Sequence, residues 1–150
     1  DTCYDDAVKY CIGSLKTIAP HAKKCGVHIG IEPVWNKFLV SPLDMKHVIT
    51  SVGSSHVGLF MDTGNMVFWN YPEHWIRMLG KYIKKVHFKD FKRNGMTLSF
   101  PPLRTGEVNW PAVMRELRAA KYGGPVISEV GGDDALMAET VKTMREILAL

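Results

Sequence analysis

The apolar positions change period along the chain, and the changes mark out a repeating order of helices and strands. Val8, Cys11, Leu15 and Ile18 recur at spacings of three, four and three, which predicts an amphipathic helix over residues 5–19, bracketed by Pro20 and Gly26. The run Val27-His28-Ile29-Gly30-Ile31-Glu32 predicts a short β-branched strand that finishes on an acid. Ser41-Pro42-Leu43-Asp44 reads as a helix start, with a hydroxyl cap, Pro in the first turn and an acid beside it, and Leu43, His47, Val48 and Val52 supply the helical period. The cycle then repeats. Val57–Asp62 is a second apolar run ending on an acid, followed by Gly64 and a helix opened by Pro72, and Ile83–His87 is a third strand, ending on a histidine. Beyond a long loop with Pro101 and Pro102, Trp110-Pro111 opens a helix with Val113, Met114 and Leu117 inward. Pro125–Glu129 makes a fourth strand ending on an acid, and Met137, Val141, Met144 and Leu148 line a last helix.

The order is α(βα)4. Continuous apolar strands of this kind belong to parallel sheets covered on both faces, so the fold class is α/β with parallel βα units. Four such units make half of a (β/α)8 TIM barrel, a fold whose catalytic groups sit at the C-terminal ends of the strands. An open four-stranded sheet is the alternative, but it gives no reason why every strand should end on a potential metal ligand. Those ends, Glu32, Asp62, His87 and Glu129, supply three carboxylates and an imidazole. The set is hard and oxygen-rich, suited to Mn²⁺ or Mg²⁺, with Co²⁺ or Zn²⁺ as alternatives.

The motifs around those ends carry a resemblance. Ile31-Glu32-Pro33-Val34-Trp35-Asn36, Met61-Asp62-Thr63-Gly64-Asn65, Val86-His87-Phe88-Lys89-Asp90 with Arg93, Gly106-Glu107-Val108-Asn109-Trp110 and Ser128-Glu129 resemble the xylose isomerase-like TIM-barrel superfamily, closest to its sugar and sugar-phosphate isomerases and 3-epimerases. The likeness runs over the whole chain and matches the C-terminal half of that barrel, which makes residues 1–150 a single domain. It implies a divalent ion, most simply Mn²⁺, held by Glu32, Asp62, His87 and Glu129. Glu32 and Glu129 are then also the catalytic pair, exchanging a proton on opposite faces of a metal-stabilised enediolate. Arg93, six residues after His87, takes the place of an arginine that holds substrate hydroxyls or one end of the sugar; the plain alternative is a solvated loop cation. Trp35 and Asn65 are further substrate-binding candidates. So is Glu107, unless it orients its loop or caps the next helix. Trp69 is a candidate for shaping the pocket, and Trp75, at helical spacing from Leu79, for packing. Some free-ketose epimerases carry a histidine where Asn65 stands, which leans the resemblance toward phosphorylated sugars. A polyol dehydratase of the same superfamily is the alternative activity.

Composition and charge trim the alternatives. With 46% hydrophobic residues and a net charge of +4 from 19 basic and 15 acidic side chains, the chain suits an anionic small molecule and not nucleic acid. An AP endonuclease would need more histidines, for three zinc ions, and an Asp-x-His pair where Asp90-Phe91-Lys92-Arg93 runs on. Lys81, Lys84, Lys85, Lys89, Lys92 and Arg93 form the densest basic run, read as a wet surface apart from Arg93. Three cysteines, Cys3, Cys11 and Cys25, cannot all pair, which together with the lack of a signal segment or membrane-length apolar run suggests a reduced, cytoplasmic protein. No P-loop, dinucleotide fingerprint or nucleophile elbow is present. Four strands cannot close a barrel, so the chain is expected to be either a truncated piece of a longer parent, which the start at Asp1 favours and which need not be active alone, or one half of a homodimer that completes the barrel.

Overall fold

The sheet called for by the four apolar runs is present in a computed structural model of the chain, which describes residues 1–150. Its strands are β1 (Ile29–Ile31), β2 (Val57–Asp62), β3 (Ile83–Phe88) and β6 (Val126–Ser128), all parallel and paired in that order. Helices alternate with them: α1 (Tyr4–Cys25), α2 (Pro42–Val52), α4 (Pro72–Leu79), α5 (Trp110–Ala119) and α6 (Asp134–Leu148). Two further features have no counterpart in the apolar pattern. A short helix α3 (Thr63–Val67) comes directly after β2, and the loop after β3 folds into an antiparallel hairpin of β4 (Lys92–Asn94) and β5 (Thr97–Ser99).

Local chemistry starts and stops these elements. The Ser41 hydroxyl accepts from the Leu43 N–H at 3.2 Å with Pro42 in the first turn, and Asn109 and Asp133 accept in the same way from the Ala112 and Leu136 N–H groups. Gly53 ends α2 at φ 69°, a left-handed conformation that glycine adopts without penalty. Gly58 serves a different purpose. A Cβ there would collide with the Tyr82 carbonyl oxygen, so glycine lets β2 and β3 approach where their register slips between Leu59 and Phe60.

The core lies between the sheet and its helices. Leu59, Met61, Val86 and Phe88 from the two central strands meet Met45, Val48 and Ile49 of α2, Trp75, Ile76 and Leu79 of α4 and Val113 and Leu117 of α5, all buried. Trp75 is packing, as its spacing suggested. Several expected faces are corrected. The first helix does not stop at Pro20 but continues to Cys25, because burial of Ala19 and Ala22 on either side offsets the one backbone bond that proline removes. In α2 the inward side is Met45, Val48 and Ile49, leaving Leu43 and His47 exposed. In α6 Thr140 and Ile147 are buried, while Met137, Val141 and Leu148 face outward, as Ile18 does in α1. Full coverage also fails for the outer strands: β2 is almost wholly buried, whereas β1 and β6 are half exposed at the two edges of the sheet. Cys3, Cys11 and Cys25 are unpaired, and no helix is long and apolar enough to cross a membrane.

Candidate metal centre

Parallel pairing brings the C-terminal strand ends to one rim. Asp62 on β2 stands opposite His87 on β3, His87 stands opposite Ile127 on β6, and Glu32 and Glu129 each come just after the last residue of an outer strand. One donor atom from each of the four lies within 4.8 Å of the others. His87 Nδ1 is 3.5 Å from Glu32 Oε1, 3.6 Å from Asp62 Oδ2 and 3.6 Å from Glu129 Oε2. These gaps are too long for good hydrogen bonds, and both His87 Nδ1 and Asp62 Oδ2 are buried with no hydrogen-bond partner. An ion placed about 2.0–2.2 Å from each donor holds its donors roughly 3–3.5 Å apart, so the spacing and the two orphaned atoms fit a divalent cation.

Asp62 is fixed by its own chain. Its Oδ1 accepts from the Asn65 N–H at 2.7 Å, capping α3, which leaves Oδ2 aimed at the centre. Burial pushes this carboxyl up to about 7, against the pull of the Asn65 N–H and the Lys89 charge, and the neighbouring Glu129 adds to the rise. Burial also acts to raise the more exposed Glu129, but the hydrogen bond and charge of Lys89 hold it below the ordinary range. A carboxyl raised in the folded state lends stability that is full below its unfolded value and is lost as pH rises through about 7. With EDTA present, the melting temperature is therefore expected to fall between pH 5 and pH 8 more steeply than in Asp62→Asn, and Mn²⁺ at pH 8 is expected to restore it. Equal slopes in the two proteins would refute the assignment.

The other candidates fall in two places. Trp35 packs on Phe68 and Phe100 at ring separations of 4.7 and 5.1 Å, and its indole N–H donates to the Asn65 carbonyl at 3.2 Å. Arg93 and Glu107 instead line a cleft of about 710 Å³ with Trp69, Tyr71 and Asn109, to which none of the four strand-end residues contributes. There the Arg93 guanidinium lies 5.2 Å over Phe68, and the Glu107 carboxylate accepts from the Arg93 N–H at 2.6 Å. Glu107 thus orients the hairpin, and the cap of α5 belongs to Asn109. An aromatic cluster of Trp35, Phe68, Phe91 and Phe100 joins the cleft to the centre.

One further residue reaches the centre. Lys89, which belongs to a basic run with the pattern of a wet surface, places Nζ 2.9 Å from Glu129 Oε2 and 3.9 Å from Asp62 Oδ2. Lys89 lies one residue beyond β3 and two places after His87, so it continues the side of the strand from which His87 projects.

The sequence model of the xylose isomerase-like TIM barrel matches residues 1–147. The chain belongs to that family. Solved xylose isomerase-like structures agree on the fold. The IolI protein with a bound zinc atom aligns at TM-score 0.86 with 15% identity over 99% of this chain and 59% of its own. A xylose isomerase-like TIM barrel protein from Mycobacterium smegmatis, in complex with magnesium, aligns at 0.81 with 22% identity over 99% and 52%. D-psicose 3-epimerase from Clostridium cellulolyticum H10, solved with D-tagatose, aligns at 0.80 with 17% identity over 99% and 58%. This chain thus spans little more than half the length of these proteins, and its four parallel strands form a half barrel of the xylose isomerase-like type. A comparison with curated proteins finds no match.

Proposed function

We propose that residues 1–150 are the C-terminal half of a divalent-metal-dependent sugar or sugar-phosphate isomerase or 3-epimerase. The observation that carries this reading is the convergence of four strand-end donors, two of them buried and unpartnered. A divalent ion held by Glu32, Asp62, His87 and Glu129, Mn²⁺ by the hardness of the donors, supplies Lewis acidity to the carbonyl and hydroxyl oxygens of a ketose. Glu32 and Glu129 lie at the ends of the two outer strands and so flank the centre, where one removes the proton from the carbon beside the carbonyl and the other returns it from the opposite side. Asp62 and His87, on the inner strands, hold position. Arg93, with Glu107 fixing its backbone, offers a cation to a phosphate or distal hydroxyl, and Trp35 and Asn65 form the wall between. The remaining strands come from the rest of a longer chain or from a second copy, paired along the half-exposed β1 and β6 edges.

The test is to load the chain with Mn²⁺, dialyse, count the bound metal and follow ketoses and ketose phosphates in D₂O by NMR. Close to one equivalent of Mn²⁺ per chain, with deuterium entering next to the carbonyl and none entering under EDTA, is expected. Failure to retain any metal would overturn the proposal.

A further inference from the structure

A lysine stands at the metal centre, and the chain around it is shaped to keep it there. The Lys89 side chain is only 11% exposed, and its ammonium lies 4.1 Å from the centre of the Phe100 ring while reaching Glu129 at 2.9 Å. Its backbone is held at both polar groups by one buried hydroxyl: Thr63 Oγ1 accepts from the Lys89 N–H at 3.0 Å and donates to the Lys89 carbonyl at 2.7 Å. The residue after Thr63 clears the path of the side chain. A Cβ on Gly64 would lie 2.8 Å from Lys89 Cγ and 3.1 Å from its Cβ, so Gly64 leaves room for the aliphatic stem. A solvated surface lysine needs neither the hydroxyl clamp, nor the missing side chain, nor the aromatic floor.

The charge arithmetic gives this placement a purpose. An ammonium within 4 Å of two carboxylates is a good counter-ion for them, and it is a poor neighbour for a divalent ion bound by the same oxygens. Holding metal alone would be served better by an apolar side chain. A cation kept there at that cost needs an anionic partner once the ion has taken the carboxylates.

We propose that Lys89 is a substrate-binding cation of this centre: it balances Glu129 and Asp62 when metal is stripped, and with the ion in place it holds the oxygen of an α-hydroxycarbonyl compound that gains negative charge when the neighbouring C–H proton leaves. The inference rests on the metal-centre reading above and adds the residue that faces the substrate oxygen. The Phe100 ring face, 4.1 Å from Nζ, attracts the ammonium and helps to hold it at the centre.

Calorimetric titration of Mn²⁺ at pH 8 into the unsubstituted chain, Lys89→Met and Lys89→Arg tests the first half. Glycolohydroxamate, a planar anion that mimics the charged α-hydroxycarbonyl, titrated into the Mn²⁺-loaded proteins tests the second. Lys89→Met is expected to bind Mn²⁺ about tenfold more tightly, because a like charge is gone, and the hydroxamate about tenfold more weakly. Lys89→Arg is expected to stay near the unsubstituted chain in metal affinity. If the lysine only props Glu129, Lys89→Met will bind Mn²⁺ more weakly; that result, or an unchanged hydroxamate affinity, overturns the proposal. Should Lys89→Met misfold by circular dichroism, Lys89→Gln carries the same comparison. An unsubstituted chain that takes up no Mn²⁺ would bring down the metal-centre reading and this role with it, whereas Mn²⁺ binding unmoved by the substitutions would bring down only Lys89.

Discussion

On the proposed function, Glu129→Gln is expected to abolish retention of Mn²⁺ and, with it, proton exchange beside a ketose carbonyl. The substitution keeps the shape of the side chain and removes one negative charge from a set of three carboxylates and one imidazole. An amide oxygen is a weaker ligand than a carboxylate, and the amide N–H₂ group would turn a donor toward either the ion or Lys89 Nζ, which lies 2.9 Å from Glu129 Oε2. Losing even an outer-sphere partner of a metal ligand typically costs about 10–100-fold in affinity, so removal of a ligand is set at roughly 100-fold or more. Loss of an acid or base adds roughly 10²–10⁴ in rate. Metal analysis after dialysis, beside deuterium incorporation, reads both effects. A control outside the cluster is Glu146→Gln, which breaks only an exposed pair with Arg104 and is expected to retain as much Mn²⁺ as the unsubstituted chain. Retention of one equivalent by Glu129→Gln would show that the four strand ends do not act together.

That the sequence alone singles out Glu129 reflects how directly the βα repeat exposes strand ends. A parallel strand of alternating or continuous apolar residues terminates where the chain first meets solvent at the rim, and the first polar residue there is the one that faces the site. Asp62 and His87 share a register pair for that reason. The helix faces were less legible. In α2, Leu43, His47, Val48 and Val52 and the alternative Met45, Val48 and Ile49 are both helical spacings, and only packing on β2 decides that the second set is buried. In α6 the apolar stripe Met137, Val141 and Leu148 is real but lies beyond the last strand, where this half barrel has nothing to cover it. The hairpin was missed because both of its strands are three exposed residues long, with no apolar alternation to mark them. Lys89 was hidden by its neighbours: five other cations nearby made the run look like surface, and the clamp from Thr63 and Gly64 is a contact across about 25 residues that spacing alone does not reveal.

Asp90→Ala is expected to be the most destabilising single change outside the core, and the reason lies in the loop after β3. Asp90 is 1% exposed, yet no cation pairs with it. Its charge is met instead by four N–H groups: Oδ1 accepts from the Phe91 and Val108 backbone at 2.9 and 3.2 Å, and Oδ2 from the Gly106 backbone and the Trp110 indole at 3.1 and 3.3 Å. One carboxylate thereby ties both ends of the segment that carries Arg93, Phe100 and Glu107. Gly106 belongs to the same device, since a Cβ at that position would overlap the Asp90 carboxylate. Removing the carboxylate leaves up to four donors without a partner, and breaking a buried charged network of this kind costs about 3–5 kcal/mol. Asp90→Asn is no remedy, because its N–H₂ group would confront two of the same donors. Urea unfolding of both variants, with limited proteolysis across residues 91–109, measures the effect; a loss below about 1 kcal/mol would mean that water replaces the carboxylate. Because Phe100 lies 4.1 Å from Lys89 Nζ and Arg93 stands over Phe68, loosening this segment also frees the floor of the metal centre and the wall of the cleft together. On the proposed metal centre, a variant that still folds is therefore expected to retain Mn²⁺ as the unsubstituted chain does and to lose affinity for glycolohydroxamate.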